Sequence, residues 1–135
     1  MKRSIIGSVG LLIGTAAVAD NLQGVDRLLC ATGPIVACFE DGECIPVLAS
    51  EAEVPMFVVI DIKSKIMSTT KASEENRKTA IANVSRTDGF IYLQGVENGR
   101  AYSFVIDEQS GRATVAVSRD GLSVSVFGAC TDADL

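Results

Sequence analysis

The stretch that decides the fold lies in the second half of the chain, at residues 97–130: ENGRAYSFVIDEQSGRATVAVSRDGLSVSVFGAC. Three glycine-containing turn signals divide it, at Asn98-Gly99, Ser110-Gly111 and Asp120-Gly121. Between the last two, apolar residues occupy every other position: Ala113, Val115 and Val117. A period of two predicts antiparallel strands with one face on a core and the other in water, and Asn-Gly is typical of a tight hairpin.

The same rhythm extends backwards to residue 28. Short runs rich in Val, Ile, Phe and Thr are separated by turn signals, as in an all-β meander. The predicted strands before the quoted stretch are 35–39, 44–47, 56–62, 66–69, 79–86 and 90–94. We therefore predict an all-β fold, an antiparallel meander of about eight short strands that forms a small closed or partly open barrel. In a closed barrel the first and last strands would lie side by side.

The chain begins like an export signal. Met1-Lys2-Arg3 is basic, residues 5–18 carry no charge, and Ala17-Val18-Ala19 has the small side chains that signal peptidase requires. The apolar run is shorter than the roughly 20 residues that span a bilayer. We expect residues 1–19 to be a secretory signal peptide cleaved after Ala19, which leaves no membrane anchor and a periplasmic or secreted product.

Residues 20–135 then form a single β domain, with 20–27 as a loose N-terminal arm and 131–135 as an acidic tail. Loss of Lys2 and Arg3 leaves 10 basic and 17 acidic residues, a net charge of −7. Such a domain repels phosphate backbones and anionic membranes, so nucleic-acid binding is disfavoured. The chain has no His, which removes the commonest general base and zinc ligand.

The four cysteines predict two disulfides rather than a metal site, because none of the paired C-x₂₋₄-C spacings of zinc sites is present. A three-residue loop, 40–42, with Gly42 in the left-handed conformation would bring Cys38 opposite Cys44. Their Cα atoms would lie about 4.5 Å apart, within disulfide range. This favours Cys38–Cys44 with Cys30–Cys130; Cys30–Cys44 with Cys38–Cys130 is the alternative.

Few side chains are candidates for a functional site. Glu74-Glu75 and Asp107-Glu108 are adjacent carboxylates, which point in different directions and therefore read as solvated turns. Asp61 interrupts an apolar strand, and either faces a cavity or, more often for such a residue, lies on the solvent side or bonds backbone in the next turn. The aromatic residues of the C-terminal hairpins are Phe90, Tyr92, Tyr102, Phe104 and Phe127. Phe90 and Tyr92 share one strand face, and an exposed aromatic strip could contact a partner or a glycan, although core filling is the more common role for most of these residues. We predict no catalytic, cofactor-binding or metal-binding residue.

Residues 92–108 and 126–130, together with the element from Cys38 to Cys44, resemble a family of small exported proteins of proteobacteria for which no activity is established. The resemblance implies a periplasmic address. The predicted architecture is also similar to that of periplasmic inhibitors of C-type lysozyme, small disulfide-bearing β-barrels, on fold type alone.

Three functions remain open. The first is a non-catalytic binding or inhibitor module that contacts another protein of the cell envelope. The second is a carrier of a small apolar ligand inside the barrel, for which eight strands leave room for one ligand. The third is a hydrolase that uses carboxylates alone. The stiff scaffold, the acidity and the missing catalytic groups favour the first, a non-enzymatic role.

Overall fold

The computed structural model describes residues 21–73 and 76–134, with Gly7 and Gly10. The predicted signal peptide and Glu74-Glu75 lie outside the described residues. Ten strands and no helix are present in the described part. The strands are β1 Arg27–Phe39, β2 Cys44–Val47, β3 Phe57–Asp61, β4 Ile66–Thr69, β5 Lys78–Ala80, β6 Asn83–Thr87, β7 Phe90–Glu97, β8 Arg100–Asp107, β9 Arg112–Arg119 and β10 Leu122–Asp132. All pairs are antiparallel.

The strands form one curled sheet, a half-barrel, in the order β5-β4-β3-β1-β10-β9-β8-β7-β6, with β2 paired to β1. The predicted all-β, disulfide-stapled fold is confirmed in its partly open form. The first and last strands do pair, but they lie at the centre of the sheet and do not close a barrel. The two edges are β5 and β6, which are consecutive in the chain.

A corner of two residues joins these edges. The N–H of Ile81 donates to the Lys65 carbonyl beside β4, at 2.9 Å, and the N–H of Ala82 donates to the Gln94 carbonyl of β7, also at 2.9 Å. The chain therefore crosses from one edge of the sheet to the other here. The single strand predicted over 79–86 is in fact the two edge strands and this corner.

The turns follow their residue types. Asn98 and Gly99 both have positive φ, 49° and 73°, as a tight hairpin requires. Gly42 has a φ of 87°, and the Phe39 N–H donates to the Glu43 carbonyl at 2.9 Å, which closes the predicted three-residue loop. This loop sets the register that brings Cys38 and Cys44 together.

Both disulfides join residues that lie directly opposite each other on neighbouring strands. Cys38 and Cys44 pair across β1 and β2, with Cα atoms 4.1 Å apart. Cys30 and Cys130 pair across β1 and β10, with Cα atoms 4.0 Å apart and a sequence separation of 100. The second bridge thus fastens the first and last strands to each other at the centre of the sheet.

The inner face of the half-barrel carries two apolar clusters. The first cluster includes the fully buried Leu22, Leu28, Ile60, Ile91, Leu93 and Ile106. The second cluster comprises Ile35, Ala37, Val115, Val124 and Val126, and is covered by the connection between β2 and β3. Phe104 and Val117 pack against both.

The N-terminal arm differs from the prediction, because it is held against the sheet. Leu22 is fully buried, and its N–H donates to the Glu108 carbonyl at 2.7 Å. The Arg86 guanidinium donates to the carbonyls of Leu22 at 2.8 Å and Val25 at 2.7 Å. At the other end, Asp132 belongs to β10. Residues 21–26 and 133–134 therefore extend the central strands β1 and β10 and pack beside them.

Candidate functional site

The outer face of the sheet carries a group of exposed and partly exposed apolar side chains, which we call the outer aromatic surface. It consists of Phe57 on β3, Phe90 and Tyr92 on β7, Val105 on β8 and Phe127 on β10. Phe57 and Phe127 are each 45 % exposed. Large contiguous apolar patches are rare on monomeric proteins and mark contact surfaces.

The strand register makes this surface continuous. Tyr92 lies opposite Val105, Val105 opposite Thr114, and Thr114 opposite Phe127. One step along, Ala129 lies opposite Ala31 on β1, and Ala31 lies opposite Phe57. Directly opposed side chains on neighbouring strands have Cβ atoms about 4.5–5.5 Å apart, so these rows leave no polar gap wider than a threonine.

The four predicted contact residues separate into different roles. Phe90 and Tyr92 lie on the outer face as predicted, with ring centroids 6.2 Å apart. Tyr102 faces the interior instead: it is 7 % exposed, and its hydroxyl donates to the Ala80 carbonyl at 3.0 Å. This bond ties β8 to the edge strand β5, and it removes Tyr102 from the contact strip.

Asp61 ends β3 on the outer side and has a local structural role. Its Oδ1 accepts a hydrogen bond from the Ser64 N–H at 3.0 Å, in the turn that leads to β4. The Ser64 N–H and hydroxyl bonds hold the pKa of Asp61 below its ordinary value of 3.8. The solvent-side alternative therefore describes Asp61.

The carboxylates of Asp107 and Glu108 are likewise occupied. Asp107 Oδ1 accepts from the Gln109 N–H at 2.9 Å, and this bond is the main reason that the pKa of Asp107 lies below 3.8. Glu108 is 8 % exposed and faces the Arg86 guanidinium at 3.5 Å. Both residues line an open surface hollow of about 640 Å³ beside the N-terminal arm, where their carboxylates stabilise the turn and the arm.

The inner face contains a pocket of about 130 Å³ that members of both clusters line. Its walls are mainly apolar and include Val58, Met67, Phe104, Val115 and Val126. Residues 48–55, which we call the strap, cover it. In the strap the Val54 N–H donates to the Ala49 carbonyl at 2.9 Å, and the Pro55 carbonyl accepts from the Thr32 hydroxyl at 2.7 Å.

A half-buried arginine fastens the strap to the rim of the half-barrel. Arg77 donates to the Glu53 carbonyl at 3.1 Å and forms an ion pair with Glu97, also at 3.1 Å. Glu53 belongs to the strap and Glu97 ends β7. Arg77 therefore links three separate parts of the chain at the mouth of the pocket.

A second hollow, of about 280 Å³, continues from the pocket along the inner face. Four residues line both spaces, namely Glu53, Val54, Arg100 and Val117. The hollow adds apolar side chains of β1, β2 and β10, together with Arg119 at the end of β9. The two spaces adjoin beneath the strap.

The sequence analysis named Phe90, Tyr92 and Phe127 as members of a possible contact strip but missed Phe57, Val105, the strap and the two arginines of the hollow, although a signal exists. Val124 and Val126 define the inner phase of β10, and Phe127 falls out of that phase, as an outward-facing apolar residue must. Arg119 has the inner phase of β9, shared with Val115 and Val117, where a charge is unexpected. Residues that break the strand period thus locate both the outer aromatic surface and the charged end of the hollow.

In the described part of the chain no helix is long and apolar enough to cross a membrane. The same residues contain no group of three or more Cys, Asp or Glu arranged to hold a metal ion. Comparison with models of known protein families finds no match. A search of curated proteins likewise finds no similar sequence.

Proposed function

We propose that this chain is the precursor of an exported, non-catalytic binding module that contacts another protein through its outer aromatic surface. The observation that carries the proposal is the continuity of that surface across six strands, from Tyr92 on β7 to Phe57 on β3. A pleated sheet held by two disulfides presents these side chains on a rigid support. Rigid aromatic contacts lose little conformational entropy on binding, and aromatic side chains dominate the energetics of protein interfaces.

Two disulfides indicate an oxidising environment outside the cytoplasm. We further propose that residues 1–19 direct export, that cleavage follows Ala19, and that the mature domain works in the periplasm. Support comes from the basic start, the uncharged run and the Ala-Val-Ala sequence, and from the resemblance to small exported proteobacterial proteins.

A non-catalytic role agrees with how the acidic side chains are used. Asp61 and Asp107 accept backbone N–H groups within their own turns, and Glu108 faces Arg86. A carboxylate pair that cleaves a glycosidic bond must instead face a substrate from two sides. The partner we propose is a protein of the cell envelope with a complementary apolar surface.

The test compares partner capture by the natural protein and by a variant with a polar outer face. The full-length precursor is expressed in a proteobacterium. The oxidised mature protein is then used to capture proteins from a periplasmic extract. Phe57→Ser with Phe127→Ser should abolish retention of the protein that the natural sequence retains, since these two half-exposed rings are the most exposed aromatic side chains of the surface.

Phe39→Ser is the matched control, because Phe39 is 43 % exposed but lies at the β1–β2 hairpin, away from the outer aromatic surface. It should retain the same partner as the natural protein. Equal retention by the double variant and by the natural protein would remove the outer face as the contact surface. A mature protein whose mass shows residues 1–19 still attached would refute the export part of the proposal.

A further inference from the structure

We propose that the pocket and the hollow beneath the strap together bind a single-chain anionic amphiphile, a medium-chain carboxylate. The apolar chain lies in the pocket, and the carboxylate binds Arg100 and Arg119. This inference goes beyond the proposed function and does not rest on it, because the site is on the inner face and the outer aromatic surface plays no part in it.

The size and lining of the two spaces fit an alkyl chain. An apolar cavity of about 150 Å³ stays dry and takes up benzene-sized molecules, and the inner pocket of about 130 Å³ is close to that size. Taken alone, each space is smaller than the roughly 300 Å³ at which small-molecule sites begin. Because they adjoin at Val54 and Val117, a narrow chain can occupy both, whereas a compact molecule of the same volume cannot.

Two arginines are positioned to bind the anionic head group of the ligand. Ala101 lies opposite Ser118 in the register of β8 and β9, so the next position sets Arg100 opposite Arg119. Both residues line the hollow. Like charges directly opposite each other on neighbouring strands destabilise a sheet, unless an anion lies between them.

Neither guanidinium forms an ion pair with another residue of the described part. Three carboxylates lie near the two arginines, and those of Glu51 and Glu53 line the same hollow without forming an ion pair with either guanidinium. Glu97, across from Arg100, pairs with Arg77, and Glu51 accepts from the Leu48 N–H at 3.1 Å within the strap. Glu53 lines the hollow from the strap side. A planar carboxylate matches the forked donors of a guanidinium better than an uncharged head group such as an alcohol does.

Decanoate is the probe, with decan-1-ol and butyrate as matched molecules that lack the charge and the chain, respectively. Titration calorimetry on the oxidised mature protein should show saturable 1:1 binding of decanoate. Decan-1-ol and butyrate should each bind at least about tenfold more weakly, since each lacks one half of the recognition. Amide NMR shifts should move at the strap and at β8–β9.

Two variants, each with a matched control, locate the binding site. Arg100→Gln should weaken decanoate binding by about tenfold and leave decan-1-ol unchanged, whereas Arg112→Gln, at the opposite end of β9, should alter neither. Val115→Phe should fill the pocket and abolish binding of both chains, while Ala116→Phe, the next residue and on the outer face, should not.

The proposal is overturned if decanoate does not saturate, if decan-1-ol binds as tightly as decanoate, or if the NMR shifts fall on the outer aromatic surface. If Val115→Phe does not fold, the response of Arg100→Gln and the comparison of the three probes still decide the matter.

Discussion

Truncation of one side chain tests whether the N-terminal arm is a structural part of the domain. Leu22 is fully buried in the first core cluster although it precedes the first strand. Leu22→Ala removes three carbon atoms, each worth about 0.8 kcal/mol of transfer free energy, or ~2.4 kcal/mol together. A residual cavity adds to this, and Leu→Ala changes in cores span about 2–5 kcal/mol. We expect a loss of about 3 kcal/mol in the free energy of unfolding.

The assay is urea unfolding of the disulfide-bonded protein, and the midpoint and slope of the transition are measured. Leu48→Ala is the matched control, because Leu48 is 68 % exposed and its truncation should change stability by less than about 0.5 kcal/mol. A loss below about 1 kcal/mol for Leu22→Ala would refute the reasoning, since it would show that the arm detaches at little cost.

A second substitution checks the mechanism that holds the arm. Arg86→Met removes the donors to the Leu22 and Val25 carbonyls and leaves the buried Glu108 without its cation. Leu22→Ala and Arg86→Met act on the same segment. The double variant should therefore lose less free energy of unfolding than the two single variants lose together. Strict additivity in the double variant would mean that Arg86 does not act through the arm.

Further outcomes follow from other features. Replacing Cys30 and Cys130 by Ala should cost more stability than replacing Cys38 and Cys44, about 4.7 against ~2.4 kcal/mol in the chain-entropy description, as chemical unfolding will show. Burial, and next the charge of Glu97, raise the pKa of Tyr102 above 10.0. Ultraviolet titration should therefore detect one late-ionising tyrosine, absent in Tyr102→Phe, and the stability it contributes should be lost as pH rises past 10. The lowered pKa of Asp107 has the opposite sign: its contribution is present above pH 3.8 and is lost as pH falls below it, and Asp107→Asn should remove that part of the acid dependence.

The parts of the fold that depend on neighbouring residues could be predicted from the sequence. Asn98-Gly99 determines its hairpin locally, and Gly42 places Cys38 opposite Cys44 through a loop of three residues. The alternation of apolar and polar residues in β9 and β10 also matches the alternation of inner and outer side chains in the structure. Cys30–Cys130 then followed by elimination, because only two cysteines remained.

The corner between β5 and β6 was missed although the sequence contains a sign of it. The buried residues Thr79 and Ile81 have odd numbers. In β6 the more buried positions are the even-numbered Val84 and Arg86. A strand cannot change phase without a bulge or a break. Leu22 gave no such sign, because its burial depends on Arg86 and Glu108, which lie far away in sequence.

The candidate site was harder to predict than the fold. Phe90 and Tyr92 could be placed on one face by spacing alone, but the outer aromatic surface joins strands from both halves of the chain. The strap is a short acidic connection in the sequence, and only the sheet register shows that it covers a pocket. Such arrangements depend on which strands become neighbours.

The central pairing of β1 with β10 has a consequence for biogenesis. A chain that emerges N-terminus first must hold β1 unpaired along one side until β10 arrives, because β10 follows the other nine described strands in sequence. Long-range pairing of this kind folds slowly, since loop closure precedes any gain from contacts. The middle of the sheet thus cannot assemble before β10 is available, and oxidation of Cys30 with Cys130 reports that β10 has reached β1.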